Sequence, residues 1–280
     1  MRDSILERFP VDGSVVIDDE TLTTPYRVED GSMLLIAGTV DPAAASAALA
    51  GVAMAPVPTT TGRALAAVWV ADFRQANLGP HGELQFSVFA TREEEPAVSP
   101  GPWGFYEALS RPMPPLMVCH RLWNTTRRVA RYNDVHLGLD ALPAAGGLTD
   151  GRRWRFAFDD TQGRALVRGD VGIPTRTAMA EGAALTRALG LRRALRLADS
   201  RSTSLTVVSP RRDRDGRLQL SSTFTQARRS VLRRWTDEDE LELLDPHLGA
   251  LGFAPEVIAA FTGLAFVYLR PEPGAGVHTG

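Results

Sequence analysis

The amino-acid sequence predicts an α+β protein in which antiparallel β-strands predominate over helices. Three observations support this class: many short apolar runs of strand length, few helical patterns, and turn residues between the runs. Such a pattern is typical of an antiparallel sheet or a closed barrel. No repeat, linker or low-complexity stretch divides the 280 residues, so we expect one domain over 1–270 and a disordered Pro/Gly-rich tail over 271–280.

The N-terminal half consists mainly of strand-length runs. Strands are predicted at 14–19, 33–40, 64–71, 84–91 and 116–119, with a turn-rich segment at 77–82. One helix interrupts them, because Asp41 is a good N-cap, Pro42 suits a first turn, and the apolar pattern continues through Ala43–Leu49.

The C-terminal half predicts further strands and two helices. Residues 153–158 alternate aromatic and other side chains, and 164–169 can pair with them. The Ala/Leu-rich segment 178–198 predicts a helix, and 203–209 with 217–225 predicts a hairpin around Asp215-Gly216. A helix at Pro255–Phe261 and a strand at Gly263–Leu269 complete the prediction.

Composition indicates an ordinary soluble protein, with 44% apolar and 23% charged residues and a net charge of −2. The single Cys119 excludes an intramolecular disulfide and fits a reducing compartment. Five scattered histidines give no metal-binding spacing, so we expect neither a metal nor another cofactor. We see no signal peptide and no apolar run of membrane-spanning length, so we expect a cytoplasmic protein that does not contact a membrane.

The chain contains no lysine: all 31 basic side chains are arginines. A lysine amine can lose its proton and attack a carbonyl, whereas a guanidinium stays charged and binds carboxylates or phosphates. The sequence therefore excludes imine formation on any side chain and leaves the Met1 α-amine as the one primary amine.

Arginine is concentrated in residues 187–234, which hold 13 Arg against three Asp and no Glu. Nucleic-acid binding is one interpretation of this density. We favour a solvated face or a subunit interface, because the arginines fall on different predicted elements and the acidic run 237–242 follows directly. We therefore expect no nucleic-acid partner.

Four stretches together resemble the acetoacetate decarboxylase family. They are Pro25–Arg27 with Met33–Val40, then Leu78–Glu83, then Cys119–Arg128, and finally Glu240–Pro246 through Phe266–Leu269. Their order is kept and they span most of the chain. The resemblance implies a β-barrel or cone with a few peripheral helices and, commonly, a homo-oligomer. Residues 177–234 fit the family least well and could form an insertion, a helix plus a hairpin, that reshapes the cavity.

The same resemblance shows what this chain lacks. The family forms a Schiff base on the first lysine of a paired motif, and Arg127 and Arg128 stand at the matching positions. A further family arginine matches near Gly31, and a second active-site glutamate matches near Val68. Only Glu83 is retained. The resemblance therefore implies the scaffold without the Schiff-base decarboxylation.

Glu83 and Arg127 are the candidate catalytic residues. Glu83 is predicted to move a proton if a dry pocket raises its pKa, and an ion pair with Arg127 is the alternative. Arg127 and Arg128 are predicted to hold a carboxylate, enolate or phosphate, and a solvated pair on the surface is the alternative.

Four further residues are candidates for contacting a substrate. His81 titrates near neutrality but also suits a surface turn, and His120 lies on a strand whose inward face the sequence does not reveal. Trp123 is either core or a platform for the substrate. Tyr132 is placed to donate a hydrogen bond to a carbonyl oxygen.

The leading functional interpretation is an enzyme of small-molecule, specialised metabolism that acts on a carbonyl- or carboxylate-bearing substrate. It would use noncovalent acid–base and electrostatic catalysis, with cyclisation, dehydration, isomerisation and lyase chemistry all open. The alternative is a noncatalytic ligand-binding or assembly protein on the same fold.

Overall fold

Seven β-strands close into a barrel in the computed structural model, which describes residues 4–92, 95–99, 101, 103–190, 202–212 and 218–270. The strands in chain order are β1 (Gly13–Ile17), β2 (Glu20–Thr24), β3 (Tyr26–Val40), β4 (Ala55–Pro56), β5 (Ala64–Ala76), β6 (His81–Thr91), β7 (Leu116–Asn124), β8 (Ala141–Thr149), β9 (Arg153–Asp160), β10 (Ala165–Gly172), β11 (Ser202–Arg212), β12 (Leu218–Arg234), β13 (Glu240–Leu243) and β14 (Ala254–Leu269). The predicted α+β class with mainly antiparallel strands is confirmed.

Short helices surround these strands. They are α1 (Ile5–Arg8), α2 (Pro42–Ala48), α3 (Gly104–Leu109), α4 (Arg127–Arg131), α5 (Met179–Leu189) and α6 (Pro246–Gly249), with a π-helical turn at Tyr132–His136. The predicted N-cap of α2 is present: the Asp41 carboxylate accepts from the backbone N–H groups of Ala43 and Ala44, each at 2.9 Å. No helix in the described part of the chain is both long and apolar enough to cross a membrane.

The barrel order is β7–β11–β12–β14–β3–β5–β6, and β6 pairs with β7 to close the ring. Six of the seven pairings are antiparallel, and β7–β11 is parallel. An odd number of strands cannot alternate in direction all the way round, so one parallel pairing is required. This pairing lies between two strands that are far apart in sequence.

A second sheet covers part of the barrel's outer face. β8 pairs in parallel with the end of β7, and β9, β10 and β13 follow it in antiparallel order. Its aromatic residues Trp154, Phe156 and Phe158 pack with barrel residues that face outward, such as Leu34 and Ile36. The predicted pairing of 153–158 with 164–169 is present as β9–β10.

Two sequence-based expectations need correction, and three others lie outside the described residues. The helix predicted at Pro255–Phe261 is wrong, because this segment is the first half of β14 and pairs with both β12 and β3. The predicted hairpin is present as β11–β12, but both are barrel strands, so they are not an insertion. The hairpin turn at 213–216, the end of the predicted helix at 191–198 and the tail at 271–280 lie outside the described residues.

Candidate active site

The barrel encloses a cavity of about 450 Å³. Alternation along each strand sends every second side chain inward, and on β6 these are the odd-numbered residues from His81 to Phe89. Residues of α3 and the start of α5 cover one mouth. Phe105 of α3 packs edge-on against Phe89 at 5.2 Å between ring centroids, whereas Glu83 lies six residues earlier on β6. Glu83 therefore lies deeper in the cavity than the covering helices.

Among the described aspartates, glutamates, histidines and arginines, Glu83 is the one that lines this cavity. It is directly opposite Asn124 in the β6–β7 register, and the Asn124 side-chain N–H donates to its Oε2 at 2.9 Å. Asn133 donates in turn to Asn124 Oδ1 at 3.1 Å, which fixes the amide orientation.

Burial raises the pKa of Glu83 to about 7, and the hydrogen bonds from Asn124 and Asn133 oppose this effect only in part. Near neutral pH the carboxyl group is thus present in both protonation states. A group in that condition can accept a proton from a bound molecule and return it.

Hydroxyl and thiol groups surround the carboxyl group. Burial raises the pKa values of Tyr26 and Cys119, and the charge on Glu83 adds to the effect in both. Burial likewise raises the pKa of Tyr268, with smaller contributions from Cys119 and Glu83. All three groups keep their protons. The Tyr268 hydroxyl is buried, belongs to a residue that lines the cavity, and has no hydrogen-bond partner within the described residues.

His81 is a structural partner of Tyr26. Its Nδ1 lies 2.8 Å from the Gly79 carbonyl oxygen, and burial lowers its pKa to about 4, so the ring is neutral. Because Nδ1 carries the proton that Gly79 accepts, Nε2 accepts the hydrogen bond from the Tyr26 hydroxyl at 2.6 Å. His81 is 5% exposed, so it is not a surface turn residue.

A β-bulge in β7 decides which of its residues face the cavity. Ser87 pairs with Cys119 and Phe86 with Arg121, so His120 is an extra residue in the ladder. His120 packs edge-on against Phe86 at 6.4 Å, and Phe86 faces the outer core. His120 and Arg121 therefore both face outward, and simple alternation across them does not hold. After the bulge, Asn124 faces inward.

Arg127 and Arg128 do not line the cavity. Both are exposed in the first turn of α4, whose buried side is formed by Val129 and Ala130. Arg128 pairs with Glu20 at 2.9 Å. The expectation that one guanidinium anchors a substrate inside the barrel is corrected by this placement. The reason is that Val129 and Ala130 form the side of α4 that packs on the core, so the two arginines at the start of the helix lie on its exposed side.

Trp123 and Tyr132 also lie outside the cavity lining. Trp123 is 3% exposed and packs in the outer core, between the barrel and the second sheet. Tyr132 is fully buried beside Tyr26, at 6.1 Å between ring centroids, and has its hydroxyl unpartnered within the described residues. Of the predicted site residues, the structure therefore places Glu83 in the cavity lining, whereas His81 and Tyr132 pack around Tyr26 in the inner core and do not line the cavity.

Sequence reasoning missed several polar residues that line the cavity, among them Trp69, Gln85 and Tyr268. Gln85 was detectable, because residues two apart on a strand share a face with each other and hence with Glu83. The inward faces of Trp69 and Tyr268 depend on the register of β5 and β14, which the sequence does not show. Among the described residues, no group of three or more His, Cys, Asp or Glu side chains is placed to hold a metal ion.

Comparisons with known proteins show which known fold this barrel resembles. No protein-family model matches the sequence, and a search of curated proteins found no relative. Among solved structures, acetoacetate decarboxylase from Legionella pneumophila superposes with a TM-score of 0.57 at 14% identity, covering 88% of this chain and 85% of that one. The chain has the acetoacetate decarboxylase fold.

A second match to this fold is MppR, an enduracididine biosynthesis enzyme solved in complex with pyruvate. It superposes with a TM-score of 0.53 at 16% identity and covers 93% of this chain and 97% of that one. The resemblance found in the sequence is thus confirmed as a similarity of fold. At this level of identity the chemistry has to be argued from the cavity itself.

Proposed function

We propose that the protein is an enzyme that transfers protons on an uncharged carbonyl compound bound inside the barrel, with Glu83 as the proton carrier. The observation that carries the proposal is a carboxyl group with a pKa of about 7 deep in a largely apolar cavity. Perturbed carboxyl groups in cavities are the usual general acids and bases of enzymes.

The reaction follows from the groups around Glu83. The carboxylate removes a proton from the carbon next to the substrate carbonyl, and the C–H electron pair becomes the C=C bond of an enolate. The Tyr268 hydroxyl, which is buried and unpartnered among the described residues, donates to the developing oxyanion. Return of the proton from Glu83 to another atom of the substrate completes an isomerisation, or prepares a cyclisation or elimination.

The absence of lysine supports a noncovalent mechanism. No side-chain amine can form an imine, and in this proposal hydrogen bonds stabilise the enolate. Asn124 keeps the carboxylate oriented in either protonation state, because its N–H donates to an oxygen that carries no proton.

An uncharged substrate suits the lining better than a carboxylate does. Among the described residues, the lining includes Glu83 but no arginine, and Arg127 and Arg128 lie on the outer surface. A substrate carboxylate would enter a low-dielectric space beside Glu83 without a cationic partner, at a cost of several kcal/mol. This replaces the expectation of a keto acid anchored by arginine.

A role in small-molecule biosynthesis is part of the proposal. It is supported by the fold that this chain shares with MppR, an enzyme of that kind. The alternative is a noncatalytic binding protein, for which the mostly apolar lining provides support.

The test is deuterium exchange next to the carbonyl of a panel of neutral ketones, followed by NMR in D₂O at pH 7. The wild type is expected to accelerate exchange on at least one ketone, and Glu83→Gln to lower that rate by roughly a hundredfold. Arg127→Ala is the matched control, since it removes an exposed charge, and it should retain the wild-type rate. Circular dichroism checks that each variant is folded.

Two outcomes would overturn the proposal. A rate that persists in Glu83→Gln would show that another group moves the proton. Binding of ketones by the wild type without exchange or conversion of any of them would favour the noncatalytic alternative.

A further inference from the structure

The side chains of Trp69 and Gln85 lie next to each other on the cavity wall and do not hydrogen-bond to each other. Trp69 on β5 is directly opposite Gln85 on β6 in the antiparallel register, and both side chains face inward. Side chains opposite each other in this way have Cβ atoms about 5 Å apart. The pair thus forms a single patch on the cavity wall.

The first group is a hydrogen-bond donor. The indole N–H of Trp69 is buried and has no partner within the described residues. An indole N–H can only donate, and a buried donor without an acceptor costs about 1–3 kcal/mol. A bound molecule that offers an acceptor here recovers that cost.

The second group is a hydrogen-bond acceptor. Gln85 is 5% exposed, and its amide N–H₂ donates to Ser87 Oγ at 2.7 Å and approaches Met117 Sδ at 3.7 Å. These contacts orient the amide, and its Oε1 accepts none of the hydrogen bonds among the described residues. The oxygen is therefore available to a ligand in the cavity.

A donor beside an acceptor matches a hydroxyl group, which accepts from the indole N–H and donates to the amide oxygen. The cavity walls near the covering helices are rich in aromatic rings, including Phe105, Tyr106 and Phe261. Flat rings of this kind pack well against an aromatic ligand. The hydroxyl that suits this environment is a phenolic one.

The distance to the reacting group sets the shape of the ligand. Gln85 and Glu83 are two residues apart on one strand, so their side chains leave the wall about 7 Å apart. A benzene ring with substituents at opposite positions bridges a gap of this size. The hydroxyl would then lie at Trp69 and Gln85 while the carbonyl reaches Glu83.

We propose that Trp69 and Gln85 form a recognition site for a phenolic hydroxyl, and that the substrates are aryl alkyl ketones with a hydroxyl para to the carbonyl. This inference rests on the proposed function for the carbonyl end, but the hydroxyl site is defined by binding alone. It assigns to Trp69 and Gln85 the selection of the ligand and to Glu83 the chemistry.

The test is isothermal titration of 4-hydroxyacetophenone and 4-methylacetophenone, which match in shape and differ in the hydroxyl. The wild type is expected to bind the hydroxyl compound roughly tenfold more tightly. Gln85→Leu and Trp69→Phe should each reduce this preference to about threefold or less, and either variant suffices if the other fails to fold. Thr225→Val, which removes a different hydroxyl from the cavity lining, is the control and should keep the preference.

Glu83→Gln separates this inference from the proposed function. The variant should keep the tenfold preference for the hydroxyl compound while it loses deuterium exchange. Preference without exchange in the wild type would sustain the hydroxyl site and defeat only the catalytic proposal. Equal affinity of the wild type for both compounds, or a preference unchanged in both Gln85→Leu and Trp69→Phe, would overturn the inference.

Discussion

Replacing Glu83 by glutamine should stabilise the protein, and the gain should grow with pH. Burial raises the pKa of this carboxyl group from an ordinary 4.5 to about 7. Between these two pH values the folded protein holds more protons on Glu83 than the unfolded chain does. The wild type therefore loses stability as the pH rises across this window and stays at the lower level above pH 7.

The size of the effect follows from the same two pKa values. They differ by 2.5, and each pH unit corresponds to about 1.4 kcal/mol, so ionisation of Glu83 costs about 3 kcal/mol of folding free energy at pH 8. Glutamine has the same shape, carries no charge and can still accept the hydrogen bond from Asn124. The variant should thus exceed the wild type by about 3 kcal/mol at pH 8 and by less than about 1 kcal/mol at pH 5.

Urea unfolding at several pH values between 5 and 8.5 measures this difference directly. Taking the difference between the two proteins cancels the contributions of all other titrating groups. Glu242→Gln, at an exposed glutamate on β13, is the control and should show a small difference independent of pH. A pH-independent difference for Glu83→Gln, or a variant less stable than the wild type at pH 8, would refute the proposed environment of the carboxyl group.

Two further predictions concern the buried hydrogen bond between Tyr26 and His81 and the buried ion pair between Arg233 and Asp239. Tyr26→Phe removes the hydroxyl that donates to His81 Nε2, so urea unfolding at pH 7 should show a free energy of unfolding lower by about 1–3 kcal/mol. A decrease below about 0.5 kcal/mol would argue against this buried hydrogen bond. Arg233→Ala leaves the Asp239 carboxylate, whose side chain is 1% exposed, without its guanidinium, and should cost about 3–5 kcal/mol in the same assay. Arg128→Ala, in an exposed ion pair, should cost less than about 1 kcal/mol, and equal losses for the two arginines would contradict the burial assigned to the first.

The fold was predictable from the sequence because its strands are long and strongly patterned. The segments around Met33–Val40, Ala64–Ala71 and Leu84–Thr91 combine apolar runs with turn residues, and all three are barrel strands. Pro255–Phe261 was predicted as a helix because local pattern alone could not reveal its two flanking strands. Pairing with β12 and β3 outweighs the weak local preference of that segment.

The candidate site was less predictable, since it depends on register and on helix orientation. Glu83 could be placed through the resemblance and strand alternation. Arg127 could not, because the packing of Val129 and Ala130 determines which side of α4 is exposed, and the sequence does not show that packing. Trp69 and Tyr268 become visible as lining residues only when their strands are aligned with their neighbours.

The bulge at His120 holds the one residue of β7 that has no partner of its own in β6. Deleting this residue would restore regular alternation in β7, with Leu122 and Asn124 still facing inward and Trp123 still facing outward. Substitutions at His120 likewise change only a side chain on the outer wall. In evolutionary terms, this position tolerates both replacement and loss, because the orientation of the amide beside Glu83 does not depend on it.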